Sequence, residues 1–245
     1  MAPSSAASAA GLKAANDLKR RVSDVADGPP GPYAHLRKKN STPLPGTAGN
    51  DGYYDQRLDV LVFKVMPGEF FVSRRNEMFT TVLGSCISAC IRDPVAGVGG
   101  MNHFMLPQAS SFDESFSKNG AASTANRYGA YAMENLINTI LKYGGRRENL
   151  EVKIFGGGQI IQGMTDVGQR NIEFARWFLA MEKLNIVAEQ VGDVCPRRVN
   201  YFPKTGVVLV RRLRSLQASA IVQREQQYMS NIAETNSGGE IDLFD

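Results

Sequence analysis

The stretch TTVLGSCISACIRDPVAGVGGMNHFMLP, from Thr80 to Pro107, decides the fold and carries the clearest chemistry of the chain. Its short apolar runs are separated by glycine and proline, which set the backbone angles of turns. It therefore predicts closely spaced strands with a turn at DPVAG. It also contains two of the three cysteines, Cys86 and Cys90, and one of the two histidines, His103.

Similar strand patterns lie on both sides of this stretch, and helical patterns join them in the second half. DVLVFKV and EFFVS precede it, while LEVKIFGGG, IVAEQVG, RVNYF and GVVLVRRL follow it. Apolar residues at three- and four-residue spacing indicate helices over STANRYGAYAMENLINTILKYGG and NIEFARWFLAMEKLN. Strands first, then helices interleaved with strands, predict an α+β fold of mixed β-sheets with helices packed on the outer faces.

The two ends of the chain differ in composition from the middle. Residues 1–52 are rich in alanine, serine, glycine and proline, which predicts a disordered N-terminal tail, although a short helix over LKAANDLKRRVSDVA is an alternative. Residues 215–245 predict a peripheral helix and an acidic C-terminal tail. The folded domain is therefore expected at residues 53–214.

Composition excludes several classes of function. The net charge of +4 is mild, and no RNP-like motif or zinc-finger spacing accompanies the basic residues, so we expect no nucleic-acid partner. Three cysteines do not suggest a disulfide framework, and no run of apolar residues is long enough for membrane insertion, which predicts a cytoplasmic protein. The glycine run KIFGGGQIIQG lacks the GK[ST] ending of a phosphate loop, so it predicts a tight turn and no cofactor.

Cys86 has three possible roles in this sequence. Gly84 permits a sharp turn that leaves the thiol beside free backbone N–H groups, as an acyl-transfer nucleophile needs, with His103 as the base. A buried core thiol is the second possibility. A zinc site with Cys90, His103 and Cys195 is the third, but a strand would place Cys86 and Cys90 about 13 Å apart. We therefore expect no metal, Cys90 in the core, and Cys195 as a lone thiol in a loop.

Thr80, LGSC, RDP and GGMNHFMLP together resemble the chemoreceptor glutamine deamidase family, CheD. KIFGGGQ, VGQRN and GVVLVRRL follow in the family's order, so the resemblance covers roughly residues 57–214, with a departure at VGDVCPRRVNYF. It implies a sandwich of mixed β-sheets flanked by helices, similar to the fold of bacterial toxin deamidases, and makes residues 53–214 a CheD-like catalytic domain. It also implies a Cys86 nucleophile, a His103 base and Thr80 as the third catalytic residue. Our own candidates for the oxyanion donors are the backbone N–H groups of Ser85 and Cys86.

The alternation of a straight strand agrees with that triad. Thr80, Val82, Gly84 and Cys86 share parity, so Thr80 is expected on the side of the thiol. Thr81 is then expected to face away, unless a bulge exchanges the two threonines. Asn102 neighbours His103 in a strand and should face the opposite side.

The resemblance also implies the reaction and the partners. The substrates would be specific glutamines in the cytoplasmic domains of methyl-accepting chemotaxis receptors, converted to glutamate in adaptation, with receptor methyl-ester hydrolysis as a related activity. A CheC-type phosphatase would be a second partner. Two alternatives stay open: a non-catalytic CheD-like scaffold that binds receptors or a CheC-type phosphatase, and a cysteine hydrolase for another amide.

Overall fold

The computed structural model describes residues 52–107, 124–160, 167–213 and 218–237. The predicted N-terminal tail, apart from Gly52, and the acidic ending lie outside these residues. Within them, the chain forms strands, three α-helices and a 3-10 turn at Arg147–Asn149. The strands are β1 (Tyr53–Asp55), β2 (Val60–Lys64), β3 (Phe70–Ser73), β4 (Glu77–Leu83), β5 (Ile87–Asp93), β6 (Val98–Asn102), β7 (Glu151–Gly156), β8 (Asn185–Val191), β9 (Arg197–Phe202) and β10 (Val207–Arg212), and the helices are α1 (Thr124–Lys142), α2 (Val167–Met181) and α3 (Ala218–Ser237).

The strands pair into two sheets of five strands each. Sheet A has the order β1-β2-β4-β9-β10, and sheet B has the order β3-β6-β5-β7-β8. Each sheet contains one parallel pair, β2 with β4 and β7 with β8, among antiparallel neighbours. The predicted α+β fold with mixed sheets is confirmed, and the edge strand β1 is an addition to the predicted set.

Alternation along β5 separates two layers of core. Ile87, Ala89 and Ile91 belong to the cluster that α1 and α2 cover, so these helices pack on the outer face of sheet B. Cys86 and Cys90 have the opposite parity and lie with residues of both sheets in a second cluster, called here the inter-sheet core. The site described below lies in this second layer.

The chain passes from sheet A to sheet B between the end of β4 and the start of β5. The glycine run after β7 holds this crossing, because Gly157 N donates to Cys86 O and Gly158 N donates to Gly84 O, each at 2.7 Å. Gly156 has φ of +112°, and a Cβ there would lie 2.1 Å from Cys86 O. The run is thus a tight turn in which backbone packs on backbone, as predicted.

The C-terminal helix α3 spans Ala218–Ser237, in the region where the sequence predicts a peripheral helix. One of its faces is buried, and Met229 joins the inter-sheet core. The sequence suggested a peripheral helix because apolar residues are sparse in it, yet those present share one face. Among the described residues, no helix has the length and apolar content that crossing a membrane requires.

Candidate active site

Cys86 lies at the crossing between the sheets, fully buried and facing the inter-sheet core. Asn171 of α2 fixes the crossing, because its amide nitrogen donates to Ser85 O at 2.8 Å. Its amide oxygen accepts from Leu106 N at 2.8 Å. One side chain therefore holds the backbone beside Cys86 against the segment that follows His103. The VGQRN motif, to which Asn171 belongs, was quoted for the resemblance, but its structural role was not predicted.

His103 follows β6 and is buried on the same side as Cys86. Thr81 Oγ1 lies 2.8 Å from His103 Nδ1 and donates to Val65 O at 2.7 Å. Because a hydroxyl has a single proton, Thr81 Oγ1 is left to accept from Nδ1. Nδ1 thus carries the proton of the neutral ring, and Nε2 is the free base. Nε2 is buried without a hydrogen-bond partner in the described part of the chain.

Thr80 does not lie against the imidazole, and that prediction is wrong. Its hydroxyl donates to Asn200 Oδ1 at 2.6 Å, between β4 and β9 of sheet A. The position expected for Thr80 is taken by Thr81. Asn102, by contrast, faces away from His103 as predicted, and its side chain bonds to Ala89 N and to α1.

The parity argument failed because Thr80 and Cys86 do not belong to one straight strand. β4 ends at Leu83 in sheet A, and Cys86 precedes a strand of sheet B. The buried face of β4 carries Phe79 and Leu83, two large apolar residues that flank Thr81 at a spacing of two. This pattern is visible in the sequence and would have placed Thr81 inside.

Three consecutive backbone N–H groups converge on the carboxylate of Glu225, which belongs to α3. Oε1 accepts from Gly84 N at 2.8 Å and from Cys86 N at 3.2 Å. Oε2 accepts from Ser85 N at 2.8 Å and from Ser85 Oγ at 2.6 Å. Backbone N–H groups in such an arrangement are suited to stabilising an oxyanion. The predicted donors, Ser85 and Cys86, lie here together with Gly84, and we call these groups the oxyanion cradle.

Gly84 is needed for close approach to this cradle. A Cβ at this position would lie 2.0 Å from Ile160 Cδ1 and 2.8 Å from Glu225 Oε2. We predicted that glycine is needed at position 84 for a sharp backbone turn. The structure shows instead that it is needed because a Cβ would collide with neighbouring side chains. Only glycine lets these two side chains pack directly on the backbone before Cys86.

Burial keeps both Cys86 and His103 neutral. Desolvation raises the pKa of the Cys86 thiol well above its ordinary value, and the charge of Glu225 and its hydrogen bond with the thiol raise it further. Desolvation also lowers the pKa of His103 from 6.5 to about 4, although the charge of Glu225 acts in the opposite direction. A thiolate–imidazolium pair therefore requires a change in the surroundings of the site.

The Cys86 thiol, a ring nitrogen of His103 and a Glu225 oxygen lie within 4.8 Å of one another. Within the described ranges, this is the one cluster with the composition of a metal site. Glu225 already receives hydrogen bonds from Gly84 N, Ser85 N, Ser85 Oγ and Cys86 N, so its oxygens have protein partners in the place of a cation. Cys90 and Cys195 are outside the cluster: Cys90 packs in the inter-sheet core and Cys195 is a half-buried free thiol.

The sequence is similar to a large set of chemotaxis proteins. A family model described as CheD chemotactic sensory transduction matches residues 105–212. A Thiobacillus denitrificans protein named "Probable chemoreceptor glutamine deamidase CheD" is 50% identical over 194 residues, which cover 78% of this chain and 94% of that protein. Proteins with the same name are 48% identical in Herminiimonas arsenicoxydans, covering 78% of this chain and 93% of the relative. A protein of the same name from Halorhodospira halophila is 47% identical, and the match covers 82% of this chain and 93% of that protein.

Solved structures give only a distant likeness. A Neisseria meningitidis protein of the DUF152 family has a TM-score of 0.36 and 10% identity, with 57% of this chain and 67% of that protein covered. This likeness carries no argument about function.

Proposed function

We propose, from the finding that this chain belongs to the CheD family, that it is a chemoreceptor glutamine deamidase with Cys86 as its nucleophile. The reaction converts the side-chain amide of specific receptor glutamines to a carboxylate, which is the change that adaptation in chemotaxis uses. The proposal places the enzyme in the cytoplasm, with the cytoplasmic domains of receptors as its substrates.

The first half of the reaction makes a thioester. His103 Nε2 takes the proton from the Cys86 thiol, and the thiolate attacks the δ-carbon of the substrate glutamine. The negative charge that develops on the amide oxygen is met by the oxyanion cradle. Protonated His103 then gives its proton to the leaving nitrogen, and ammonia departs.

The second half restores the enzyme. His103 takes a proton from a water molecule, which attacks the thioester carbon, and the cradle again meets the charge on oxygen. The C–S bond breaks, Cys86 regains its proton, and a glutamate remains on the receptor. A methyl ester in the same position would follow the same path with methanol as the leaving group, so receptor methyl-ester hydrolysis is included in the proposal.

Thr81 is the positioning residue that we propose for His103. By accepting from Nδ1 while donating to Val65 O, it favours the tautomer that leaves Nε2 unprotonated. The hydrogen bond also gains strength when the ring becomes charged, which stabilises the intermediate imidazolium. Thr80, which the resemblance implies for this role, has no such contact because its hydroxyl is bonded to Asn200.

The single observation that carries the proposal is the convergence of three kinds of group on one point. A thiol, an imidazole with a free ring nitrogen and a row of backbone N–H groups meet in one buried site. Each of these groups is common in protein interiors, but acyl transfer requires them together.

The test is a deamidation assay on a natural substrate. The full-length protein is incubated with the cytoplasmic fragment of a chemoreceptor from the same organism. Conversion of glutamine to glutamate is followed by peptide mass spectrometry, and ammonia release is measured in parallel. We expect a few chosen glutamines to be converted by the wild type and none by Cys86→Ala.

A binding measurement serves as the control for the scaffold alternative. Cys86→Ala is expected to bind the receptor fragment while converting nothing. If the wild type binds equally well and also converts no glutamine, the deamidase proposal fails and the non-catalytic scaffold replaces it.

A further inference from the structure

The buried face of α3 has a charged residue at its centre. Glu225 is 2% exposed, whereas its neighbours Gln226 and Gln227 are exposed. The buried apolar residues on the same face lie one and two turns away from it. They are Ile221, Met229 and Ile232. A carboxylate in such a stripe is costly unless specific partners compensate it, so its contacts indicate what this face is for.

Those contacts are the oxyanion cradle itself. The N–H groups of Gly84, Ser85 and Cys86, which are to receive the oxygen of a substrate, all donate to Glu225. We infer that α3 occupies the substrate position of the site, with Glu225 standing where the reaction leaves a glutamate, so that this helix blocks the site until a substrate helix displaces it. This inference rests on the proposed function.

The cradle suits a carboxylate better than an amide. Gly84 N and Cys86 N hold one oxygen, and Ser85 N and Oγ hold the other. A glutamine at position 225 would turn its NH2 group toward the Ser85 N–H, and two donors would then face each other. Glutamate is therefore held more tightly than glutamine, as expected of a residue that mimics the product.

Glu225 also keeps the Cys86 thiol unreactive. The Cys86 thiol lies within 4.8 Å of this carboxylate, which raises the thiol pKa. His103 Nε2, the base to which the thiol proton should pass, has no partner among the described residues. Removing the carboxylate frees the thiol to turn to Nε2. The arrangement is thus an inactive one in which every catalytic group is already close to its working position.

Other contacts of α3 describe the kind of helix that the site accepts. The Tyr228 hydroxyl is hydrogen-bonded to that of Tyr128 in α1, and the Tyr228 ring lies over the turn at Gly68. Met229 enters the inter-sheet core. A competing substrate is then an α-helix that presents glutamine with an apolar residue four positions before it and large apolar residues three and four positions after it.

The first test measures access to the thiol and needs no substrate. Full-length protein in a Cys195→Ser background is treated with iodoacetamide, and alkylation of Cys86 is quantified by peptide mapping. We expect Glu225→Ala to be alkylated at least about tenfold faster than the background, because the reagent reaches only the open form. Gln227→Ala, an exposed neighbour on the same helix, should match the background. Circular dichroism verifies that each variant is folded.

The second test makes the helix its own substrate. In Glu225→Gln, the thiolate of Cys86 attacks the δ-carbon of the introduced glutamine, ammonia leaves with a proton from His103, and water hydrolyses the thioester to restore a glutamate. Mass spectrometry should show replacement of –NH2 by –OH at position 225. Gln226 and Gln227 in the same peptide should stay unchanged, and the Glu225→Gln/Cys86→Ala double variant should keep all of its glutamines.

The outcomes separate this inference from the proposed function. If the wild type deamidates receptor, but Glu225→Ala is no faster in alkylation or in receptor deamidation, the block by α3 is refuted and the function stands. If no variant deamidates receptor, yet Glu225→Ala exposes Cys86, the function fails and the block stands. If folded Glu225→Ala loses receptor deamidation and its alkylation stays at the background rate, Glu225 is a structural anchor and the inference is overturned.

Discussion

The two faces of strand β5 have the same degree of burial but opposite characters. Toward α1 and α2, the side chains of Ile87, Ala89 and Ile91 pack in an apolar cluster. Toward sheet A, Cys86 lies beside a buried imidazole and a carboxylate. The first face stabilises the fold, and the second holds polar groups that cost free energy to bury and that we assign to chemistry.

Cys86 and Cys90 lie on the same face but also differ in their surroundings. Both thiols are buried in the inter-sheet core, and burial raises the pKa of each. Cys86 has backbone N–H groups and an imidazole within reach, whereas Cys90 pairs across sheet B with Met101 and Lys153. Burial and a shifted pKa therefore do not distinguish the two thiols, and the proposed role of Cys86 rests on the convergence of polar groups around it.

The largest effect is expected from removing the thiol. Cys86→Ala should abolish receptor deamidation, because Cys86 is the thiol that lies beside His103 and the oxyanion cradle, and Cys90→Ala should keep most of it. Rates are compared per folded molecule in the mass spectrometry assay. If Cys86→Ala and Cys90→Ala lost similar amounts of activity, the proposed catalytic role could not be assigned to Cys86 alone.

Removing the base should come next. His103→Gln keeps a polar side chain but cannot take a proton from Cys86, so kcat should fall by about 10²–10⁴. Binding of the receptor fragment should change little. Retention of more than a tenth of kcat would show that another group, or solvent, deprotonates the thiol.

On the opposite face of β5 the effect should be on stability. Ile91→Ala removes buried methyl groups from the helix-covered layer and should lower the free energy of unfolding by about 2–5 kcal/mol. Urea unfolding measures this change. Activity per folded molecule should stay near wild type, and a selective loss of activity would show that the two faces are coupled.

Most of the fold could be predicted from the sequence because its strands are short, alternating and separated by turn residues. The crossing between sheets could not be predicted, since nothing local says that β4 and β5 belong to different sheets, and the interpretation of Thr80 failed for that reason. The contact of Glu225 with the site could not be predicted for another reason, because Glu225 is 139 positions from Cys86 in the sequence. Only the helical spacing of Ile221, Glu225 and Met229 hints that it is buried.

The two threonines offer a finer comparison of the faces of β4. Thr81→Val removes the acceptor of His103 Nδ1–H and should lower kcat about ten- to hundredfold, as the loss of a hydrogen bond of roughly 1–3 kcal/mol predicts. Thr80→Val should have little effect on kcat, and Thr81→Ser should restore most of the activity. If Thr80→Val lost more activity than Thr81→Val, Thr80 would be the positioning residue, as the family resemblance implies.

The last effect is expected in the pH dependence of stability. Burial lowers the pKa of His103 from 6.5 to about 4, so between these values the unfolded chain binds a proton at this residue and the native protein does not. Stability therefore falls as the pH decreases from 6.5 to 4. His103→Gln lacks this proton, and its free energy of unfolding should decrease less over that window than that of the wild type. Urea unfolding of the two proteins from pH 7 to pH 4 gives the two slopes. A comparison of Glu225→Gln/Cys86→Ala, which keeps its introduced glutamine, with Cys86→Ala shows how much of the slope depends on the neighbouring carboxylate. Equal slopes in wild type and His103→Gln would mean that the imidazole is already exposed to solvent in the native state, which would contradict a site closed by α3.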